Sequence, residues 1–334
     1  MARTGARDRD GRHGVTARDP RFAAALRGAV TGEIREQEPL ARYSTYRIGG
    51  PATIAFPAAP EEVAVLIREA ERAGVSWLAL GLGSNVLLPD AGVDALVIRL
   101  GKGLDAAVEE SGGRWRFGAG LPAPLAARRT AGSGYGGIHR MVGVPGTVGG
   151  GVYMNAGCHG ESWAEVVVSV TAVGAGGQSR VIPRKEIPFR YRSSGLESWI
   201  VLETTVQLVP EAAERLTSEV NELFRWRQQG TPFNQPCCGS VFRNPVPAPG
   251  TPEGSSRTAG QLIDAAGLKG FRVGGAEVSP KHANYIVNTG AATAADVLAV
   301  IAQVREMVRE RFGARLGLEV KVIGADGRIV PDQA

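Results

Sequence analysis

Residues 80–88 read LGLGSNVLL, and residues 144–157 read VPGTVGGGVYMNAG. In the first stretch an apolar run enters a turn with glycines at 81 and 83. A dinucleotide-binding G-x-G-x-x-G turn needs a third glycine at 86, where Val86 stands instead. No Lys-Ser/Thr pair completes a P-loop either. What remains is an irregular turn whose successive N–H groups, with the Ser84 and Asn85 side chains, form an anion-binding nest. Glycine suits it because a side chain would hold a phosphate away from the backbone. The second cluster, Pro145 to Gly151, has no helix signature after it and by itself fits a tight β turn as well as a cradle. Two such clusters in neighbouring units fit a long ligand clasped between them. A flavin dinucleotide has that length, with a pyrophosphate in its middle.

Working outward, residues 60–73 read as a helix: Pro60, Glu61 and Glu62 fill its first turn, Val63, Leu66, Ile67 and Ala70 recur at helical spacing, and Gly74 stops it. Strands at 75–80 and 95–100 make this part a small α/β unit. Strands at 115–117, 166–173 and 200–208, with few helical stretches between them, predict a second, β-rich unit carrying the second cluster. A helix over 211–229 puts Leu216, Val220, Leu223 and Phe224 on one face and links to a third unit. There the pattern predicts a short helix at 261–266, a strand at 285–287, a helix at 294–312 and a strand at 320–323. Thr293 with Asp296 makes the N-terminal cap of the long helix. The stretch PVPAPGTPEGSS from Pro245 to Ser256 reads as an exposed loop.

The chain has 334 residues, enough for two or three domains, and its 46 glycines are about twice the usual share of ~7%. The formal charge of +5 invites a nucleic-acid reading, but eight arginines against four acids lie within residues 1–35 and leave almost none for the rest. That stretch reads as a disordered, solvated basic tail, followed by units at 36–105, 106–210 and 211–328. No apolar run approaches the roughly 20 residues of a membrane span. Three cysteines (Cys158, Cys237, Cys238) cannot build a disulfide framework, and the four histidines show no metal-ligand spacing, so no metal site is expected. The expectation is a soluble, cytoplasmic monomer without nucleic-acid or membrane partners.

Cys238-Gly-Ser240-Val-Phe-Arg-Asn244 adds chemistry, since the glycine lets the Ser240 hydroxyl face a ligand closely. Alone, such a serine more often satisfies turn backbone. The ordered set LGLGSNVLLPD, VGVPGTVGGGVYMNAGCHGES, FRYRSSG, CCGSVFRNP, AGLKG, VSPKHANYIVN and LEVKVIG, from about Tyr43 to Gly324, resembles the UDP-N-acetylenolpyruvoylglucosamine reductases of bacterial cell-wall synthesis. The resemblance implies an α+β chain: a two-subdomain FAD-binding fold of the vanillyl-alcohol-oxidase type, followed by a substrate-binding domain. It implies non-covalent FAD, NADPH as co-substrate and a UDP-sugar substrate, in a step that supports cell shape and division.

Reducing an enol ether beside a carboxylate delivers hydride to one carbon and a proton to the next, while negative charge gathers on the carboxylate. The resemblance implies Ser240 as proton donor, Arg192 as the carboxylate's cation, and Glu319 as a group stabilising the enol form, for which a raised pKa is expected. It implies cofactor contacts at Ile48, Gly49, Gly81, Gly83, Ser84, Asn85, Val86, Leu87, Pro145, Gly146, Thr147, Gly149, Gly150, Asn155 and Gly157. Substrate contacts follow at Tyr153, Arg227, Asn244, Lys269 and His282, with Asn284 lining the pocket beside His282. The chain departs from the family pattern at Gly317, where relatives often carry a first Glu of Glu-x-Glu, and at Cys237, where Ser is common. It resembles the shorter type, without an inserted tyrosine lid loop after Arg192.

Overall fold

Asp19 and Pro20 start the first helix, α1 (Pro20–Ala29), of a computed structural model that describes residues 15–245 and 257–332. The Asp19 carboxylate accepts from the Arg21 N–H at 2.9 Å, and Pro20 holds the first helical position. Phe22, Ala23 and Leu26 are buried in the main core, and each large side chain so buried contributes about 1.5–3 kcal/mol. The solvated-tail expectation is therefore corrected for residues 15–35, whose arginines obscured one short apolar stripe. Residues 1–14 lie outside the described residues, as do residues 246–256 of the predicted loop.

The first unit is a four-stranded sheet. Its strands are β1 (Glu33–Pro39), β2 (Pro51–Phe56) and, after helix α2 (Pro60–Arg72), β3 (Trp77–Leu80) and β5 (Leu96–Arg99), with the short β4 (Val86–Leu87) between them. The order is β1-β2-β5-β3, antiparallel for the first pair and parallel beyond. The LGLGSN turn thus leaves the end of β3, an edge strand of this sheet.

The second unit comprises β6 (Ala107–Glu109), β7 (Arg114–Gly118), β11 (Val167–Val173), β12 (Ser179–Pro183) and β13 (Ile200–Gln207). They form an antiparallel sheet in the order β12-β11-β13-β7-β6. Between β7 and β11 the chain is more helical than expected. Here lie α3 (Ala123–Gly132), the small strand β8 (Tyr135–Gly136), a 3-10 turn at His139–Gly143, α4 (Val148–Tyr153), the hairpin β9 (Gly157–Cys158) and β10 (Glu161–Ser162), and α5 (Trp163–Val166). Helix α4 corrects the expectation of no helix after the second cluster. Its glycines are poor helix formers, yet contacts require them: a Cβ on Gly149 would lie 2.7 Å from that of Ala119, and one on Gly151 would strike the Trp163 indole.

After β14 (Val209–Pro210), which pairs with β8, α6 (Ala213–Gly230) crosses to the third unit. That unit holds α7 (Ala259–Ala265), a sheet of β15 (Arg272–Val273), β16 (Ala276–Val278) and β17 (Ile286–Asn288), helix α8 (Ala294–Phe312) and β18 (Lys321–Val322). The predicted cap of α8 forms a reciprocal box, with Asp296 N–H to Thr293 Oγ1 and Thr293 N–H to Asp296 Oδ2 both at 3.0 Å. Strand β18 pairs in parallel with β4, Lys321 beside Val86 and Val322 beside Leu87. The exit of the first glycine turn is thereby joined to the segment that carries Glu319.

Candidate active site

The two glycine clusters meet. A Cβ on Gly81 would lie 2.6 Å from Thr147 Oγ1, and one on Gly146, whose φ is +125°, would lie 3.0 Å from Ser84 Oγ. Gly83 is also left-handed, at φ +63°. Arg99, on β5, donates to the carbonyls of Leu80, Gly81 and Leu100. Among the described residues, the N–H groups of Leu82, Gly83, Ser84 and Asn85 find no protein acceptor. Successive free donors in a turn without bulky side chains fit a dinucleotide's pyrophosphate. Thr147 Oγ1 accepts from Gly150 N–H at 3.2 Å and so caps α4, while Pro145 leads into this turn.

The other expected cofactor positions divide by role. Ile48 and Leu87 are buried in the third unit's apolar cluster, and Val86 with Leu87 forms β4. Gly49, at φ +142°, leaves room for the Leu40 and Leu88 side chains. Asn155, at φ +43°, is buried with both ends of its amide engaged: Nδ2 donates to Arg190 O and Oδ1 accepts from Ala164 N–H, each at 3.0 Å. Asn155 therefore fixes the loop that carries Arg192. The Gly157 carbonyl accepts from Arg192 Nη2 at 3.5 Å, and Ser194 Oγ donates to the Tyr153 carbonyl at 2.8 Å.

Arg192 has φ +56°, a conformation that costs an L-residue about 1–2 kcal/mol. Its guanidinium lies over the Tyr191 ring and donates from Nε to Glu319 Oε1 at 2.7 Å. Glu319 is set by backbone: its N–H donates to the Val241 carbonyl at 2.8 Å, and Asn85 Nδ2 donates to the Glu319 carbonyl at 3.2 Å. Val241 follows Ser240, so Ser240, Glu319 and Arg192 fall together beside the first glycine turn. Gly239, at φ +79°, makes the turn that presents Ser240. Among the described residues the Ser240 hydroxyl makes no hydrogen bond. Burial pushes the Glu319 carboxyl above its ordinary value, with Arg192 pulling the other way. Burial likewise raises the Cys237 and Cys238 thiols, which keeps them protonated and unreactive.

Arg227 leaves α6 toward the same region, its stem against Gly143, and donates from Nη2 to the Tyr285 hydroxyl at 2.6 Å. The His282 ring packs tilted against Tyr285, with ring centroids 4.6 Å apart and the planes at 59°. Its Nδ1 accepts from Asn284 N–H at 3.2 Å, and burial followed by Arg227 lowers its pKa, so it stands neutral with the proton on Nε2. Asn244 Oδ1 accepts from Ala259 N–H at 3.1 Å, and Lys269 pairs at the surface with Asp264 at 2.9 Å.

Tyr285 and Arg243 carried no warning in the sequence, and Asn284 was expected only as a pocket-lining residue beside His282. Tyr285 holds Arg227; Asn284 grips Phe242 through Oδ1 and Nδ2, at 3.0 and 2.8 Å, next to the Ser240 turn. Arg243 places a cation near Glu319 and Lys321. The VSPKHANYIVN stretch contains two of them, but only the fold reveals that they face Ser240 and Arg227.

Residues 51–182 match the family model described as FAD binding domain, and residues 231–323 match the one described as UDP-N-acetylenolpyruvoylglucosamine reductase, C-terminal domain. The chain is 37% identical over 305 residues to UDP-N-acetylenolpyruvoylglucosamine reductase of Bacillus velezensis, covering 90% of this chain and 97% of that one. It is 38% identical over 302 residues to UDP-N-acetylenolpyruvoylglucosamine reductase 1 of Bacillus anthracis, covering 89% and 96%. The crystal structure of UDP-N-acetylenolpyruvylglucosamine reductase from Thermus caldophilus aligns with a TM-score of 0.73 at 33% identity, over 87% of this chain and 99% of that one. With both family models placed in order along it and relatives matched over nearly their whole length, this chain belongs to the UDP-N-acetylenolpyruvoylglucosamine reductase family.

Proposed function

We propose that the protein reduces UDP-N-acetylenolpyruvoylglucosamine to UDP-N-acetylmuramate, a step of peptidoglycan precursor synthesis, with bound FAD and with NADPH as the source of electrons. The observation that carries this reading is the Arg192–Glu319 pair held one residue from Ser240, beside donors suited to a pyrophosphate. When bound, the flavin supplies the hydride. The chain's own residues do the rest. Arg192 binds the substrate carboxylate and offsets the charge that builds on it. A protonated Glu319 donates a hydrogen bond to the same oxygens, which its raised pKa supports. Ser240 passes its proton to the carbon beside the carboxylate.

Arg227 and Lys269 supply cations for the two phosphates, and Tyr285 keeps Arg227 extended. Asn244, Tyr153 and His282 frame the cleft. The reading extends to a monomer working in the cytoplasm; among the described residues no helix is long and apolar enough to cross a membrane. The test is spectroscopic. A purified sample should carry flavin absorbance that NADPH bleaches and the enolpyruvyl sugar nucleotide restores. A flavin restored only by oxygen would remove this substrate from the account.

A further inference from the structure

We propose that Thr45 is a positioning residue for the proton-transfer step: its hydroxyl ties the turn that presents Ser240 to the first glycine turn, and so fixes where the Ser240 hydroxyl stands relative to the cofactor cradle. This role rests on the function proposed above. Thr45 makes one bond in each direction. Its N–H donates to the Gly83 carbonyl at 3.2 Å, and its Oγ1 donates to the Cys237 carbonyl at 2.6 Å. A threonine hydroxyl has a single proton to give. The Gly83 carbonyl also stands 3.3 Å from Oγ1, but it already receives the Thr45 N–H, so the shorter contact to Cys237 takes the proton.

The segment that carries Thr45 is braced on both sides. Residues 44–47 form a β turn, with the Arg47 N–H donating to the Ser44 carbonyl at 3.0 Å and the Tyr46 N–H to Ser44 Oγ at 3.2 Å. A Cβ on Gly83 would lie 2.8 Å from Ser44 Cα, so the glycine turn sits directly on this backbone. On the other side Tyr46 is fully buried in one apolar cluster with Cys238, Val241 and Phe242, and its carbonyl accepts from Asn288 Nδ2 at 2.9 Å.

The remaining bonds of the Ser240 turn show what Thr45 adds. The Pro236 carbonyl accepts from Asn288 N–H at 2.8 Å, and the Val241 N–H donates to the Asn284 carbonyl at 2.9 Å. Among the described residues, every hydrogen bond to the backbone of residues 236–242 is made within the third unit except that of Thr45. Those bonds hold the turn in its own unit and leave its place against the glycine turns open. Asn85 makes that connection for Glu319, and Thr45 makes it for Ser240. Only Cys238 and Gly239 separate the Cys237 carbonyl from Ser240, and Gly239, at φ +79°, has no side chain to hold it. Rotation of the Cys237 peptide therefore carries to the hydroxyl. Proton transfer needs heavy atoms within about 2.6–3.2 Å, so a small displacement is costly.

Thr45→Val keeps the branched shape and the N–H to Gly83 while removing the hydroxyl. Thr45 is exposed, so the Cys237 carbonyl can turn to water, and flavin content and Tm should stay near wild type. In stopped-flow, NADPH should bleach the variant's flavin near the wild-type rate, while reoxidation by the enolpyruvyl sugar nucleotide should slow roughly 10–10²-fold. Thr45→Ser should restore most of that loss. In a Ser240→Ala background, Thr45→Val should slow reoxidation little further, because no hydroxyl is left to position. Reoxidation at the wild-type rate, equal slowing of both half-reactions, a serine variant as slow as the valine one, or full additivity with Ser240→Ala would overturn the proposal. Hydrogen exchange of the holoenzyme gives a readout independent of turnover: the amides of residues 238–241 should exchange faster in Thr45→Val than in wild type or Thr45→Ser, and unchanged exchange would refute the tie. If the sugar nucleotide does not reoxidise the wild-type flavin, the proton-transfer role falls with the proposed function, while the exchange result still decides whether Thr45 holds the turn.

Discussion

Arg192 Nε and Glu319 Oε1 stand 2.7 Å apart although 127 residues separate them in the chain. The pair joins the second unit to the third at the point where Asn85 of the first also bonds to Glu319. All three units therefore converge on one glutamate. Its carboxylate lies where a guanidinium and a buried environment compete over its charge.

Removing the guanidinium separates chemistry from stability. Arg192→Met should lower kcat/KM by about 10²–10³-fold through loss of the cation facing the developing charge. It also leaves Glu319 buried without its partner, so its pKa rises further. Melting curves should show the variant losing more Tm against wild type at about pH 8 than at about pH 5, because a protonated Glu319 needs no cation. Equal losses at both pH values would show that the pair carries no charge-dependent stability.

Asn155 is a support for the Arg192 loop. Asn155→Ala loses two buried hydrogen bonds, at a cost of about 1–3 kcal/mol for a polar group left unsatisfied. It also forces alanine into a left-handed conformation. KM for the sugar nucleotide should rise while the flavin content of the purified protein stays near wild type. A variant that loses its flavin first would move Asn155 to the cofactor.

Gly146→Ala tests the cradle directly. The added Cβ meets Ser84 Oγ at 3.0 Å in a backbone conformation that only glycine adopts easily. The ratio of flavin to protein absorbance after purification should fall sharply. Full flavin occupancy would show that the two clusters do not jointly hold the cofactor.

Phe22→Ala distinguishes a packed helix from a solvated tail. A buried phenylalanine costs about 3–5 kcal/mol when truncated to alanine. A residue in a solvated tail costs within about 0.5 kcal/mol. Urea denaturation of the two proteins reads the difference.

Much of the architecture was legible because local signals and burial agreed. Residues 294–312 form a helix with its predicted cap, and the strands around Leu80 and Ile98 fall within a few residues of their expected bounds. Misreadings arose where packing outweighed local preference. Helix α4 is built on Gly149, Gly150 and Gly151 because Ala119 and Trp163 leave no room for side chains, a reason that lies outside the segment itself. Helix α1 hid behind its arginines, although Asp19-Pro20 was a legible start signal. At the site, the resemblance named Arg192, Ser240 and Glu319, but no spacing along the chain announces that Tyr285 holds Arg227 or that Asn284 grips the backbone of Phe242 beside the Ser240 turn.

The central claim is that Ser240 delivers a proton after hydride transfer, and stopped-flow comparison of wild type with Ser240→Ala tests it most directly. The variant should bleach its flavin with NADPH at the wild-type rate, while reoxidation by the enolpyruvyl sugar nucleotide slows by about 10²–10⁴-fold. Reoxidation at the wild-type rate would contradict the account.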